Sequence, residues 1–537
     1  MKISDEGVLR MMKANTFLNF HFPCRNGNAV CFLGICLSLT FFCLTAAASA
    51  NAQQDAPDSR RLIKQAEKLS RKGNYTEAET LLRGAVEQNP NNSKLKLSLS
   101  YVLLKERKFL EVYDISIAVA KAEPKNARAL ALVGMALLNI GNFDAAKKIF
   151  QTAYFLDNEE SLAWFGSGML DFYENRIFQS LPKLERACFL DSDEPDFVFS
   201  SAQVLARAEK YTEAAEAYDK FLQIAPISDA DRRARIKGLI SFLRYVGDRQ
   251  KLYSIDDNLD QVSVPIDLYN VRPIIEIGIG DRKEKFRFVL DTGSGISVIS
   301  NKTAQALKIK PVARGGTARA IGGTGKFEIV YGFLKSINIG EAKIKNVPVY
   351  IREFNPDNEN VDGYIGLSLI SKFLTTVDYG NLTFTLRKKD RAAMQDFESE
   401  ALSLPLRLTS SGFLSGEVQI EGVEVPLNFI VDTGASVSVI SDELANTNEI
   451  SRFLTPEKMR VFGAAGVTEN VSSFLLPSVS FGKHTREKIK AVSLNLDVIN
   501  ETSGFEQAGI IGGNFLKNYR VTFDFQHSQV TFVPVVK

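Results

Sequence analysis

The stretch Phe288–Ser300 reads F-V-L-D-T-G-S-G-I-S-V-I-S, and Phe429–Ser441 repeats it as F-I-V-D-T-G-A-S-V-S-V-I-S. In each copy an apolar run stops at Asp-Thr-Gly and a second apolar run follows. This pattern predicts two strands joined by a tight turn that projects Asp291 or Asp432, with the glycine supplying permissive backbone. One such turn is weak evidence of function, because Asp and Gly occupy turns for local reasons. Two copies indicate that two carboxylates form one site.

The two halves correspond well beyond this motif. An offset of 141 residues carries Ile321–Gly325 onto Phe462–Gly466, two glycine-rich segments that predict hairpin tips. Further along, an offset of 146 residues carries Gly363–Gly366 onto Gly509–Gly512. The change between the two offsets corresponds to one difference in loop length. Repetition with a loop-sized shift indicates a duplicated folding unit.

Each half resembles one lobe of a retropepsin-type aspartic protease. The resemblance depends on the Asp-Thr-Gly loop, a glycine-tipped flap hairpin, two hydrophobic residues followed by glycine, and the ending I-G-G-N-F-L-K-N-Y-R-V-T-F-D-F at Ile511–Phe525. Pepsin-type enzymes are also similar, but they carry a flap on one lobe. Two candidate flaps favour the retropepsin kind with both lobes on one chain. The resemblance covers Pro265–Lys537 and implies an all-β, bilobal domain.

The resemblance implies that Asp291 and Asp432 are the catalytic pair. Hydrolysis by this route needs one carboxylate to take a proton from water while a protonated neighbour hydrogen-bonds the scissile carbonyl, and two carboxylates about 3 Å apart share a proton. No metal or cofactor is expected. The remaining implied site residues are the loop-bracing Thr292, Gly293, Ser294, Thr433, Gly434 and Ala435, the flap residues Gly322, Gly323, Thr324, Gly325, Gly463, Ala464, Ala465 and Gly466, and the supporting Gly366 and Gly512.

The two copies differ directly after the glycine, where the first has Ser294 and the second has Ala435. The hydroxyl of Ser294 is placed to bond the outer oxygen of Asp291, whereas the side chain of Ala435 donates nothing. A carboxylate that loses a hydrogen-bond donor is less stable in its ionised form. We therefore expect the pair to titrate higher than in relatives with hydroxyls on both sides, and to act in mildly acidic to neutral buffer.

A second repeat, with a period of 34 residues, runs from about Ser59 to Asp248. It resembles tetratricopeptide repeats, in which small residues allow two helices to cross and an aromatic residue wedges between them. We expect five repeats, over 59–92, 93–126, 127–160, 161–194 and 195–228, and then a capping helix, because Ile236 stands where a small residue belongs. The positions that define the period are Tyr75, Phe109, Phe143, Ile177, Tyr211 and Tyr245.

The concave face of such a solenoid has two interpretations. It binds a protein or peptide partner, or the solenoid is a spacer that holds the rest of the chain in place. The sequence leaves both open. The expected domains are therefore the solenoid at 59–248, a first lobe at 265–386, a solvated linker at 387–400 and a second lobe at 401–537.

The first 50 residues have the pattern of a secretory signal peptide. Basic residues precede the uncharged run Val30–Leu44, and Ala46–Ala50 supplies small residues of the A-x-A type. The alternative is an uncleaved anchor, because Val30–Ala50 is long enough to cross a bilayer. Four of the five cysteines lie in this segment, which leaves Cys188 and no internal disulfide. An exported protein without disulfides is compatible with a bacterial periplasm, or with inner-membrane anchoring that faces it.

Composition restricts the class of partner. The net charge is +2, and basic and acidic residues balance once residues 1–50 are removed, so no nucleic-acid partner is expected. The sequence thus predicts a multidomain protein, an all-α tetratricopeptide solenoid followed by an all-β bilobal domain, that acts as an exported aspartic endopeptidase on protein or peptide. Two alternatives remain: a non-catalytic peptide-binding scaffold, and lobes that each pair with their twin in a second molecule.

Overall fold

The structure is a computed structural model that describes residues 57–227, 229–247, 251–255, 259–321, 326–354, 360–389, 402–405 and 407–535. Three of the sequence-based predictions fall outside these described residues. They are the signal or anchor at 1–50, the flap tip at Gly322–Gly325, and residues 390–400 of the linker.

The described chain from 57 to 247 is helical, and we call it the solenoid. Its helices form antiparallel pairs in which each helix has 13 to 15 residues, and an 18-residue helix ends the series. None of the described helices is long and apolar enough to cross a membrane. The helices are α1 (Pro57–Arg71), α2 (Tyr75–Gln88), α3 (Ser93–Lys105), α4 (Phe109–Ala122), α5 (Ala127–Asn139), α6 (Phe143–Leu156), α7 (Ser161–Tyr173), α8 (Ile177–Leu190), α9 (Pro195–Arg207), α10 (Tyr211–Ile224) and α11 (Ala230–Gly247).

Small residues at the helix crossings explain the 34-residue pattern. A Cβ atom at Gly134 in α5 would come 2.6 Å from the ring of Phe150 in α6, and one at Gly168 in α7 would come 2.8 Å from Leu184 in α8. Since a larger side chain would force the two helices apart, the sequence keeps a small residue wherever the helices of one repeat cross.

The β-rich remainder forms two lobes, which we call lobe 1 (the lobe with Asp291) and lobe 2 (the lobe with Asp432). Strands of lobe 1 are β1 (Ser254–Ile255), β2 (Gln261–Pro265), β3 (Asp267–Tyr269), β4 (Arg272–Ile279), β5 (Lys285–Leu290), β6 (Ser297–Ser300), β7 (Ala313–Arg319), β8 (Lys326–Ile339), β9 (Ala342–Arg352), β10 (Gly363–Ile365), β11 (Leu374–Asp378) and β12 (Thr383–Arg387). Those of lobe 2 are β13 (Leu402–Pro405), β14 (Arg407–Leu408), β15 (Leu414–Ile420), β16 (Leu427–Val431), β17 (Ser438–Ser441), β18 (Leu454–Gly463), β19 (Gly466–Phe481), β20 (His484–Leu494), β21 (Gly509–Ile511), β22 (Tyr519–Asp524) and β23 (Gln529–Pro534).

Short helices also occur in both lobes, and some of them occupy equivalent positions. Ser300 caps the first of them, where its hydroxyl accepts from the N–H of Thr303, and Ser441 caps its counterpart in the same way. They are α12 (Asn301–Ala306) and α13 (Leu367–Ile370) in lobe 1, and α14 (Asp442–Ala445), α15 (Asn448–Ser451), α16 (Asp497–Ser503) and α17 (Gly513–Leu516) in lobe 2.

Three sheets organise these strands. One belongs to lobe 1, one belongs to lobe 2, and a six-stranded sheet in the order β13-β23-β22-β11-β12-β2 joins the two halves. At its centre β11 pairs with β22 in antiparallel register, and the hydroxyl oxygens of Thr376 and Thr522 lie 2.9 Å apart. These two residues are related by the 146-residue offset, so an internal pseudo-twofold axis passes between them.

The boundary expected at Pro265 comes too late. Strands β1 and β2 precede or reach this residue and are part of the sheets, since β1 pairs with β9 and β2 pairs with β12. The sequence assigned residues 249–264 to neither the solenoid nor the first lobe, but β1 and β2 each form an edge of a sheet.

The solenoid contacts lobe 2 at the turns between the two helices of the third and fourth repeats. The N–H of Glu506 donates to the carbonyl of Asn139 at 2.8 Å, and the Asn175 side chain donates to the carbonyl of Phe525 at 2.9 Å. Phe505 is fully buried and belongs to the hydrophobic core of the solenoid, where its ring packs edge-on against Phe143. Solenoid and lobe 2 therefore share a core.

Candidate active site

The two Asp-Thr-Gly loops are placed by identical strand pairings. Strand β5 runs parallel to β10 and ends at Leu290, and the N–H of Asp291 donates to the carbonyl of Ile365 at 3.0 Å. In lobe 2, β16 runs parallel to β21, and the N–H of Asp432 donates to the carbonyl of Ile511 at 3.0 Å. Each aspartate thus leaves its strand at the same point of its lobe.

Thr292 and Thr433 tie the two loops together across the lobes. The hydroxyl of Thr292 donates to the carbonyl of Val431 at 2.6 Å and accepts from the N–H of Thr433 at 3.1 Å. The hydroxyl of Thr433 donates to the carbonyl of Leu290 at 2.7 Å and accepts from the N–H of Thr292 at 3.1 Å. Both threonines are fully buried. Four hydrogen bonds therefore connect the two loops across the lobes.

The glycine of each loop faces the aspartate of the other. A Cβ atom at Gly293 would come 2.4 Å from the carboxyl carbon of Asp432, and one at Gly434 would come 2.6 Å from an Asp291 carboxyl oxygen. Because each loop lacks a side chain here, the two carboxyl groups approach closely enough to share a hydrogen bond. One chain therefore brings both aspartates into one site.

The pair is electrostatically asymmetric. Burial raises the pKa of Asp291 well above its usual value, the negative charge of Asp432 raises it further, and the positive charge of Arg352 lowers it. Burial also raises the pKa of Asp432, but its carboxyl group accepts backbone N–H bonds from Gly434, Ala435 and Gly293, which favour its ionised form. Each carboxyl group also accepts the N–H of the glycine two residues later, Gly293 for Asp291 at 3.0 Å and Gly434 for Asp432 at 2.8 Å. The two groups therefore titrate as one coupled pair.

The hydroxyl of Ser294 bonds a different acceptor from the one that the sequence predicted. It donates to the carbonyl of Ile296 at 2.8 Å, inside its own loop, and not to the carboxyl group of Asp291. Ala435, which lacks a side-chain donor, contributes its backbone N–H to Asp432. The difference between Ser294 and Ala435 therefore does not explain the raised pKa of the pair, which comes first from burial.

Gly366 and Gly512 support the loops from behind. A Cβ atom at Gly366 would come 2.8 Å from the carbonyl oxygen of Ser294, and one at Gly512 would come 3.0 Å from that of Ala435. The following residues bond the same carbonyls, since the N–H of Leu367 donates to Ser294 and that of Gly513 donates to Ala435, both at 2.7 Å. A larger side chain would push each Asp-Thr-Gly loop out of place.

Two long hairpins occupy the positions expected of flaps. Flap 1 is the β7–β8 hairpin, and flap 2 is the β18–β19 hairpin, whose turn consists of Ala464 and Ala465 between the paired Gly463 and Gly466. Flap 1 reaches across the cleft: Ile321 packs against apolar residues of lobe 2, and the Arg319 side chain lies 3.4 Å from Glu501 in α16. The sequence did not predict this crossing.

The last solenoid helix packs against flap 1. Phe242 in α11 stacks on Tyr331 in β8 with ring centroids 4.6 Å apart, and the Arg235 side chain donates to the carbonyl of Thr317 in β7 at 3.1 Å. The solenoid therefore contacts the hairpin that covers one side of the site.

Each lobe presents an apolar wall on the sheet face opposite its core. The lobe-1 wall contains Val289, Val298, Phe354 and Tyr364, and the lobe-2 wall contains the equivalent Ile430, Val439, Leu496 and Ile510. Two residues that follow Asp432, Ala435 and Val437, pack against the lobe-2 wall, and so do Met459 and Val461 of flap 2. These walls therefore flank the two aspartates.

The concave face of the solenoid is bridged by its own side chains. Lys105 of α3 lies 2.6 Å from Asp196 of α9 and also pairs with Glu194, whose carboxylate accepts from the hydroxyl of Tyr101. Arg128 of α5 adds an ion pair with Glu160 at 2.9 Å. A peptide that entered this face would have to displace these ion pairs.

Comparison with known proteins follows the same division of the chain. Residues 275–369 match the family model for aspartyl protease, and residues 416–518 match the one for gag-polyprotein putative aspartyl protease. Residues 127–159 and 165–228 match tetratricopeptide repeat models. The chain contains two retropepsin-like aspartyl protease domains behind tetratricopeptide repeats. The predicted fold class is confirmed.

Two solved structures overlap parts of the chain. A thermophilic TPR protein from Thermus thermophilus shares 19% identity, covering 34% of this chain and 98% of its own, with a TM-score of 0.29. The aspartic proteinase from Irpex lacteus shares 14% identity, covering 51% of this chain and 97% of its own, with a TM-score of 0.36. No curated protein matches the chain in sequence. The family models carry the assignment.

The reactive groups that the site presents are the carboxyl groups of Asp291 and Asp432. Within the described residues, no group of three or more His, Cys, Asp or Glu side chains is arranged to hold a metal ion. That the protein needs no metal or cofactor stays a prediction from the sequence.

Proposed function

We propose that the protein is an exported aspartic endopeptidase. The observation that carries the proposal is the hydrogen-bonded pair of Asp291 and Asp432, which come from two separate Asp-Thr-Gly loops of one chain. A pair of this kind, with one shared proton, activates water without a metal. The signal-like pattern of residues 1–50 supports export.

In the proposed mechanism Asp432 is the base and Asp291 is the acid. Asp432, whose carboxyl group accepts the N–H of Gly434, takes a proton from a water molecule held between the two carboxyl groups. Asp291 keeps its proton and donates a hydrogen bond to the scissile carbonyl, stabilising the negative charge that develops when water attacks. The cross-lobe threonine bonds fix the distance between the two groups.

The substrate is an extended peptide segment that lies beneath the flaps. Its backbone pairs with the flap strands, and its side chains contact the two walls beside the aspartates. The solenoid supports this arrangement as a scaffold, because it shares a core with lobe 2 and packs on flap 1. Docking of a partner on the solenoid is a second role that would require opening the Lys105 ion pairs.

The test uses Asp291→Asn and Asp432→Asn made separately, with an unfolded protein as substrate. Each variant should lose about a thousandfold or more in activity, because the two carboxyl groups act as a unit. Mixing the variants should restore nothing. If each variant alone kept roughly half the activity, lobes that pair with their twins in another molecule would replace this proposal. If the unmodified protein cleaved nothing between about pH 3 and pH 8, a peptide-binding scaffold would replace it.

A further inference from the structure

The two lobes differ at the residue that comes two positions after the supporting glycine. The 146-residue offset relates Ser368 of lobe 1 to Asn514 of lobe 2. In lobe 2 the side-chain oxygen of Asn514 accepts from the N–H of Ser438 at 3.0 Å and from its hydroxyl at 2.8 Å. The amide nitrogen of Asn514 donates to the carbonyl of Lys490 at 2.7 Å. Asn514 therefore ties α17 to β17, the strand that continues from the Asp432 loop.

In lobe 1 a tyrosine from a distant part of the sequence bonds this position. The hydroxyl of Tyr253 donates to the hydroxyl oxygen of Ser368 at 2.8 Å. Tyr253 lies directly before β1, in the segment that connects the solenoid to lobe 1. A residue from outside the duplicated unit therefore anchors the position that is equivalent to Asn514.

Ser368 in turn bonds the loop that carries Asp291. The N–H of Ser368 donates to the carbonyl of Gly295 at 2.9 Å. Gly295 follows Ser294, whose own N–H donates to the carbonyl of Asp291 at 3.3 Å. The hydroxyl of Tyr253 is therefore connected to the Asp291 loop through Ser368 alone.

The backbone of Tyr253 is strained, and its neighbours hold it in place. Its φ is +51°, in the left-handed region that bulky residues rarely adopt, and strain of this kind is concentrated at functional sites. Its N–H donates to the carbonyl of Asn346 at 3.2 Å, and its ring is buried. The ammonium of Lys372 lies 5.7 Å from the ring centre and pairs with Glu209 of the solenoid. Burial raises the pKa of the Tyr253 phenol, so its hydroxyl stays a donor in acidic and neutral buffer.

We propose that Tyr253 is a positioning residue for Asp291, and that it gives the lobe-1 loop the support that Asn514 gives the loop of lobe 2. This inference rests on the proposed peptidase function and adds a residue to its site. While the Tyr253 hydroxyl holds Ser368, the Asp291 loop keeps the distance from Asp432 that catalysis needs. The contact of Lys372 with both Tyr253 and the solenoid gives the repeats a part in this geometry.

The test is Tyr253→Phe, which removes the hydroxyl and keeps the buried ring. Its kcat should fall about tenfold with KM unchanged, because a displaced catalytic group affects the reaction more than substrate binding. The matched control is Tyr173→Phe. Tyr173 is also buried, and its hydroxyl donates to the carbonyl of Gly504 in lobe 2 at 3.3 Å, in a segment that belongs to neither Asp-Thr-Gly loop. This control should keep kcat. An unchanged kcat in Tyr253→Phe, or a rise in KM alone, would overturn the proposal.

A second substitution distinguishes positioning from packing. Tyr253→Phe combined with Ser368→Asn copies lobe 2 and should recover most of the lost kcat. Ser297 is the lobe-1 counterpart of Ser438, and the introduced amide should bond it as Asn514 bonds Ser438. A double variant as slow as Tyr253→Phe would reject the proposed equivalence of the two lobes.

Amide hydrogen exchange separates this inference from the proposed function, because it requires no hydrolysis. In Tyr253→Phe the amides of 294–296 and 367–369 should exchange faster, whereas those of 435–437 should not change. This result would support the positioning role even if the unmodified protein cleaves nothing. Unchanged exchange at 294–296 would reject that role even if peptides are hydrolysed.

Discussion

Gly238 in the last solenoid helix lies directly against Gly315 in the flap strand β7, and a Cβ atom at Gly238 would come 2.2 Å from the Gly315 Cα atom. The next residue of the strand, Gly316, has a φ of +68° and faces Ala234 of the same helix. The register of the flap hairpin shifts at these two glycines, between Arg314 and Thr317. Helix α11 therefore fits onto the flap only because three glycines leave room for the two backbones to meet.

Gly238→Leu should displace flap 1 and lower kcat/KM by about tenfold or more, because small errors in the placement of substrate-covering groups are costly to catalysis. The helical content should remain, and amide exchange should accelerate at 313–319. The control is Gly84→Leu, since a Cβ atom at Gly84 in α2 would meet nothing within 4 Å. Unchanged activity in Gly238→Leu would show that the contact between helix and flap has no catalytic role.

The sequence predicted what depends on local pattern. The Asp-Thr-Gly loops and the 34-residue period are visible directly in the sequence. The fold class and the expected pairing of Asp291 with Asp432 followed from them. Contacts between distant segments had no such signal. Nothing near Phe505 indicates that it completes the core of the solenoid, and nothing near Gly238 indicates a flap strand as its neighbour.

Side-chain orientation is the second feature that the sequence did not predict. The hydroxyl of Ser294 has two acceptors within reach of its loop, and the sequence does not reveal that it selects the carbonyl of Ile296.

Thr433→Val should destabilise the junction of the lobes. The hydroxyl of Thr433 serves two fully buried partners, the carbonyl of Leu290 and the N–H of Thr292, and valine serves neither. Each group left unpaired costs about 1–3 kcal/mol, which urea denaturation measures. Thr485→Val is the control, because the hydroxyl of Thr485 bonds Ser480 at the exposed surface. Equal stability of the two variants would contradict the role given to the cross-lobe bonds.

Asp291→Asn should raise the free energy of unfolding at neutral pH. The pKa of Asp291 is raised in the folded state, first by burial, so the stability linked to its proton is fully present below the unfolded pKa of about 4 and is lost as pH rises through the folded value. Asparagine avoids this loss. The variant should match the unmodified protein in thermal unfolding near pH 3.5 and exceed it near pH 8.

The control for this stability measurement is Asp281→Asn. The Asp281 side chain is 96% exposed, and its replacement should change thermal unfolding little at either pH. A drop in stability of Asp291→Asn at pH 8 would show that the ionised pair is favourable in the folded protein, contrary to the burial argument.

Ala435→Ser should leave the pH dependence of activity nearly unchanged. In the equivalent position of lobe 1, the serine hydroxyl bonds the carbonyl two residues later, so a serine at 435 should bond the carbonyl of Val437. It then gives no new donor to Asp432, whose N–H bond from residue 435 is already made by the backbone. The limbs of the pH–rate profile should move by less than about 0.3 unit. A larger downward shift would show that the hydroxyl reaches the carboxylate.

Phe505→Ala, although it lies in lobe 2, should also destabilise the solenoid. Phe505 comes from lobe 2, yet its ring is fully buried and lies 4.9 Å from Phe143 and 5.1 Å from Tyr173, both in solenoid helices. Removing such a ring typically costs about 3–5 kcal/mol. Because the two parts share this core, helical circular dichroism and loss of peptidase activity should shift together to lower temperature. Phe178→Ala, which removes a ring 85% exposed on α8, should leave both transitions in place. Separate transitions for helices and activity in Phe505→Ala would show that the solenoid folds independently of the protease lobes.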